Sequence, residues 1–84
     1  MSYQVILPKS VQKELNRLPA DIAERILEAL SDLKEQPRPP GCKKLRGENA
    51  WRIRIGNYRV IYEIRDKVLQ IIVVTIGHRR EVYR

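Results

Sequence analysis

Arg52, Arg54 and Arg59 bracket a Gly56-Asn57 pair, and a second cluster, His78, Arg79, Arg80 and Tyr83, closes the sequence. Arginine stays protonated throughout the biological pH range and presents a planar fork that can grip a phosphate through two oxygens. His78 is the chain's one histidine, and histidine is the side chain whose ordinary pKa lies near neutrality. A tyrosine such as Tyr83 can stack on an unpaired base or move a proton. If the partner is RNA, the substrate brings its own nucleophile, the ribose 2′-OH. The protein must then supply a proton acceptor, a proton donor and cations for the charge that builds on the phosphate. A lone histidine in a polar tail is more often simply exposed, so His78 takes its weight from the arginines around it.

Other chemistries find less support. No group of Asp, Glu and His has metal-ligand spacing, so neither a metal nor a cofactor is expected. Cys42 sits in a Pro/Gly loop with no companion motif and reads as an incidental thiol. Glu48 and Glu63 do not make a carboxylate pair for glycoside chemistry. Neither GxxxxGK[ST] nor GxGxxG occurs.

The charge is unevenly distributed. The chain carries +7 overall. Residues 1–36 hold five basic and six acidic side chains, whereas residues 37–84 hold twelve basic and four acidic. A chain near neutrality in one part and strongly cationic in the other presents an electrostatic face, and nucleic acid is its default partner. Basicity for solubility alone would explain the total but not the asymmetry. With 43% hydrophobic and 32% charged residues, the composition is globular rather than disordered.

These residues need a scaffold to position them. The 84 residues predict one domain, residues 1–84, held by burial alone because a single cysteine cannot form an internal disulfide. Tyr3–Leu7 reads as a first strand ended by Pro8. Val11, Leu15 and Leu18 then recur at helical spacing, and Pro19 breaks that helix and opens another. Ile22, Ile26, Leu30 and Leu33 form the second helix's stripe, running to about Gln36. Pro37-Arg38-Pro39-Pro40-Gly41 is a stiff connector. From Ala50 the period becomes two, giving a strand to Ile55, a Gly56-Asn57 turn, a strand from Tyr58 to Arg65, a turn at Asp66-Lys67 and a last strand over Val68–Ile76. The order βααβββ predicts an α+β fold, a helical hairpin packed on a mostly antiparallel four-stranded sheet.

A two-residue turn fixes the hairpin register. Ile55 then faces Tyr58, Arg54 faces Arg59 and Ile53 faces Val60, and directly opposed residues share a sheet face. Trp51, Ile53, Ile55, Tyr58, Val60 and Tyr62 should lie under the helices, and Arg52, Arg54 and Arg59 on the other face with Ile61, Ile72 and Val74. Like charges opposed across a ladder are destabilising. Phosphate oxygens would relieve the repulsion; a solvated face with splayed guanidinium groups is the plainer alternative.

Three segments now carry a resemblance: Lys44-Leu45-Arg46-Gly47, the run Trp51 to Tyr62 (WRIRIGNYRVIY), and Gly77 to Tyr83 (GHRREVY). Together with the βααβββ order they resemble the RelE/ParE toxin superfamily, in its RelE-like branch. The resemblance implies a toxin of a type II toxin–antitoxin pair that cleaves mRNA in the ribosomal A site by 2′-OH attack, leaving a cyclic phosphate. By position it implies catalytic roles for Arg52, Arg54, Arg59 and Arg79, and base stacking for Tyr83. Lys43, Lys44, Arg46 and Arg80 would add RNA-binding charge. The best-known RelE pattern has lysines where Arg52 and Arg54 stand; arginine cannot serve as a base, so His78 becomes the candidate proton acceptor. Some relatives continue into a C-terminal helix that this sequence lacks.

Two other functions share these features: a ParE-like inhibitor of DNA gyrase on the same scaffold, and an RNA-binding module without chemistry. The expected partners are the ribosome, mRNA and a cognate antitoxin whose acidic and apolar segment folds on binding. No membrane partner is expected, because Val68–Ile76 falls well short of the ~20 apolar residues of a span. No export signal is visible in the first residues, which points to the cytoplasm.

Overall fold

The computed structural model describes residues 2–45 and 49–78. In chain order the elements are β1 (Gln4–Ile6), α1 (Lys9–Asn16), α2 (Ala20–Leu33), β2 (Lys43–Lys44), β3 (Ala50–Ile55), β4 (Tyr58–Arg65) and β5 (Gln70–His78). A short 3₁₀ turn, Asp66–Val68, joins the last two strands. The sheet has five strands in the order β1-β5-β4-β3-β2, all antiparallel except β1 beside β5. The expected α+β architecture is present with one strand more than predicted, because Lys43–Lys44 adds an edge to β3.

Each helix starts from a proline. The Pro8 carbonyl accepts the amide of Gln12 at 3.0 Å, and that of Pro19 accepts Ala23 at 3.0 Å. Proline gives up no useful donor at a helix start, and its fixed φ suits the entry. Helix α2 ends at Leu33, short of the predicted Gln36. The amides of Lys34 and Glu35 bond to carbonyls three residues back, and Pro37 disfavours the α conformation in the residue before it.

The core lies between the helices and one sheet face. Val11, Ile26, Val60, Tyr62, Ile64, Ile71 and Val73 are fully buried there, with Leu30, Leu33, Ile53, Ile55 and Ile76 around them. Tyr62 keeps its hydroxyl satisfied by donating to the Pro37 carbonyl at 2.8 Å, and burial pushes its pKa up.

Strand β5 runs over Gln70–His78 instead of the predicted Val68–Ile76, and its pairing is irregular. From Ile64↔Ile71 to Tyr62↔Val73 the pairing is regular, but Ile61 then opposes Thr75, and Val60 opposes Ile76. Val74 is therefore an extra residue, a β-bulge, and it lies exposed. The buried positions shift from odd to even numbers across it: Ile71 and Val73 before, Ile76 after. No helix among the described residues is long and apolar enough to cross a membrane.

Candidate active site

The hairpin register matches the predicted one at every pair: Ile55↔Tyr58, Arg54↔Arg59 and Ile53↔Val60. Gly56 has φ +59°, whereas Asn57 is not among the positive-φ residues. Glycine at the first central position with an ordinary second residue is the pattern of a II′ turn.

Two cross-strand rows then build the cationic face. In one, Lys43 opposes Arg52, which opposes Ile61; in the other, Arg54 opposes Arg59, which opposes Gly77. All lie on the side of the sheet turned away from the helices. The Pro37–Gly41 connector makes the first row possible. Gly41 turns the chain with φ +90°, a conformation open to glycine, and delivers Lys43 beside Arg52. Gly41, Lys43, Arg52 and Arg54 line a cleft of about 230 Å³.

The connector itself is tied down by Asp66. Arg38 donates to Asp66 from Nη2 at 2.9 Å and from Nη1 at 3.4 Å, and the Tyr3 hydroxyl donates to Asp66 Oδ1 at 2.6 Å. The Arg38 guanidinium lies 5.1 Å from the centre of the Trp51 ring. The hydrogen bonds from Arg38 and then Tyr3 hold the Asp66 carboxyl below the usual carboxylate range, and the same Asp66 bond raises the Tyr3 phenol. These groups join the chain start, the connector and the β4–β5 turn, and their role is architectural.

The arginines are not equivalent. Arg54 is exposed, Arg52 is half-buried, and Arg59 is only 2% exposed. The sequence sets Arg59 on one sheet face with Arg52 and Arg54, and the structure buries it there instead of exposing it. Strand β4 is central and covered by neighbours on both edges, whereas β2 ends its pairing at Arg52 and leaves the outer side of β3 open beside Arg54. A buried charge is retained when it is partnered, and Arg52, Arg59 and His78 are each engaged by a neighbour. Glu63 stands on the same face but makes its ion pair with Arg65, at 3.4 Å.

His78 is placed differently from the arginines. It opposes Tyr58, and the two rings meet edge to face with centroids 5.5 Å apart. Tyr58 belongs to the helix-side face, so the register sets His78 across the sheet from Arg54 and Arg59. Lys44 opposes Trp51 and likewise falls on the helix-side parity, at the sheet edge. Arg46, Arg79, Arg80 and Tyr83 lie outside the described residues. Thus the structure gathers Lys43, Arg52, Arg54 and Arg59, and separates His78 and Lys44 from them. Among the described residues no three His, Cys, Asp or Glu side chains come together as a metal site.

Glu14 escaped the sequence reading. It stands on α1 between the buried Val11 and Leu15, and its carboxylate accepts the Ile76 amide at 3.1 Å and the Thr75 hydroxyl at 3.3 Å. An acidic residue beside a helical apolar stripe was the only signal available.

Residues 5–83 match the family model of the ParE toxin of type II toxin–antitoxin systems, parDE. The chain belongs to the RelE/ParE superfamily of type II toxins. It is 33% identical over 87 residues to toxin RelG of Mycobacterium tuberculosis, covering 100% of this chain and 99% of that one. The RelE–RelB complex of Pyrococcus horikoshii contains a chain similar in fold, with a TM-score of 0.85 and 34% identity over 94% of this chain and 97% of that one. The isolated Escherichia coli RelE toxin is similar at a TM-score of 0.81 and 25% identity, covering 92% and 84% of the two chains. The RelE-like scaffold thus extends across the described sheet, including the hairpin that carries Arg52, Arg54 and Arg59.

Proposed function

We propose that this toxin is a ribosome-dependent endoribonuclease that cuts mRNA in the A site by attack of the ribose 2′-OH, without a metal ion. The observation that carries the reading is the pair of opposed rows, Lys43–Arg52 and Arg54–Arg59, on the sheet face left open by the helices. Preorganised cations at such a position stabilise the charge that develops on the transferring phosphoryl group. Similarity to toxins named RelG and RelE supports it. Exposed Arg54 and half-buried Arg52 meet the phosphate, and Arg59 acts from beneath them. Arg79 adds charge, Tyr83 stacks on a base, and Lys43, Arg46 and Arg80 hold the RNA backbone; His78 and Lys44 face the other side of the sheet, so His78 is not placed to take the proton at that phosphate.

The toxin acts in the cytoplasm, under control of a cognate antitoxin. Solved relatives occur in complex with RelB, and this chain offers an antitoxin both charge and apolar surface. Val5, Leu7, Leu27 and Leu30 line a groove of about 170 Å³ between β1 and α2. An acidic and apolar segment that orders on binding can cover such separated features.

The test is induction of the toxin followed by mapping of new RNA 5′ ends. Cuts at fixed codon positions within translated messages are expected. The matching family model is named for ParE, so gyrase-linked DNA breaks without RNA cuts would favour the gyrase reading instead.

A further inference from the structure

The bulge in β5 decides which face of the sheet receives His78. Counting from the regular Ile64↔Ile71 end, an unbroken ladder would set Arg59 against Ile76 and put residue 78 on the arginine face. With Val74 extra, Arg59 meets Gly77 and Tyr58 meets His78. A one-residue change of register moves every following side chain to the other face.

Strand β1 pairs with β5 only as far as Ile72, and an unpaired buried amide beyond it is costly. Here the Ile76 amide does not go without: Glu14 Oε1 accepts it at 3.1 Å, while Oε2 accepts the Thr75 hydroxyl at 3.3 Å. A carboxylate on α1 therefore holds both residues that follow the extra Val74. The patterning agrees, since Ile76 is buried in this register and would leave the core in the straight one.

We infer that Glu14 is a positioning residue of the active site: by holding the Val74 bulge it keeps Gly77, rather than Ile76, against Arg59 on the cationic face, and the pairing of His78 with Tyr58 reports that register. The catalytic part of this inference rests on the endoribonuclease reading; the placement of His78 does not.

The test compares Glu14→Ala, Glu14→Met and Glu14→Gln with wild type by NMR and by cleavage of ribosome-bound mRNA. In the wild type the Ile76 amide proton should show a nuclear Overhauser contact to the Glu14 γ-protons, and His78 ring protons should carry a ring-current shift from Tyr58. In Glu14→Ala, and in Glu14→Met should the alanine variant not fold, exchange at the Ile76 amide should rise about ten- to a hundredfold, the range of a charge-assisted hydrogen bond. The His78 shift should be lost, and kcat should fall at least about tenfold, as displacement of Arg59 by an opposing Ile76 predicts. KM should change less than about twofold, since phosphate binding is retained. Glu14→Gln keeps an acceptor for the Ile76 amide and should restore most of each property. Absence of the wild-type Ile76–Glu14 contact would overturn the inference, as would an unchanged His78 shift in folded Glu14→Ala or Glu14→Met. Equal losses in Glu14→Gln and Glu14→Ala would overturn it too. A wild type that cleaves no mRNA defeats the endoribonuclease reading alone, and the NMR comparison still decides whether Glu14 places His78.

Discussion

Arg54 and Arg59 oppose each other across the hairpin but differ in burial, so their replacement should separate activity from stability. Arg54 is exposed at the open side of β3. Arg54→Ala should change stability by no more than ~0.5 kcal/mol, the range of surface substitutions, while losing ~100- to 1000-fold in cleavage rate. Arg59 is 2% exposed. Arg59→Ala should lose activity and also about 1–3 kcal/mol of stability, because groups arranged around a buried guanidinium lose their partner. Denaturant titration beside single-turnover cleavage reads both. A fully active Arg54→Ala toxin would remove that arginine from the site. Asp66 allows a separate test. Its carboxyl is held below its ordinary pKa by Arg38 and Tyr3, so its contribution to stability is complete above the unfolded pKa of about 4 and fades as pH falls through the folded value. Asp66→Asn should therefore be less stable than wild type at pH 7, with the difference closing below about pH 4. Denaturation curves collected across that range would show it.

At the scale of elements, the legible parts were those with a local rule. The Gly56-Asn57 turn sets its hairpin register by counting outward, so the Arg54–Arg59 opposition could be read from the residues. Helical spacing of Val11 and Leu15, and of Ile26, Leu30 and Leu33, gave both helices. Strand β2 was not legible, because two lysines carry no periodicity. The bulge was hidden in Ile71-Ile72-Val73-Val74, where every position is apolar and no polar residue marks the change of face. Glu14 lies beside the apolar stripe of α1, and nothing local to the helix marks the Thr75 and Ile76 groups that it binds. The burial of Arg59 was hidden as well, since alternation tells which face a residue takes but not how deeply the sheet covers it. The turn gives this scale its prediction. Gly56 has φ +59°, and a Cβ there would meet only Arg25 Nη1, at 3.6 Å, an ordinary contact. Gly56→Ala is thus a test of backbone strain alone and should cost about 1–2 kcal/mol. An unchanged melting transition would show that the turn relaxes to another type.

Across the whole molecule, charge and apolar surface are divided in a way that suits a regulated toxin. The helices cover one sheet face, the Lys43, Arg52, Arg54 and Arg59 cations occupy the other, and the groove beside β1 and α2 is mostly apolar with Ser31 and Lys34 in its lining. Encounter with an acidic antitoxin segment should be steered by charge, so its association rate should fall as ionic strength rises. Stopped-flow measurements from low to high salt would test this, and a salt-independent rate would contradict it. The central claim, that the cationic face promotes attack by the substrate's own 2′-OH, is met most directly by one substitution in the RNA. Ribosomes carrying an mRNA with a single 2′-deoxy nucleotide on the 5′ side of the cut should be incubated with the toxin beside the all-ribose message. The account predicts cleavage of the all-ribose message to a cyclic phosphate end and none at the deoxy position; cleavage at the deoxy position would contradict it.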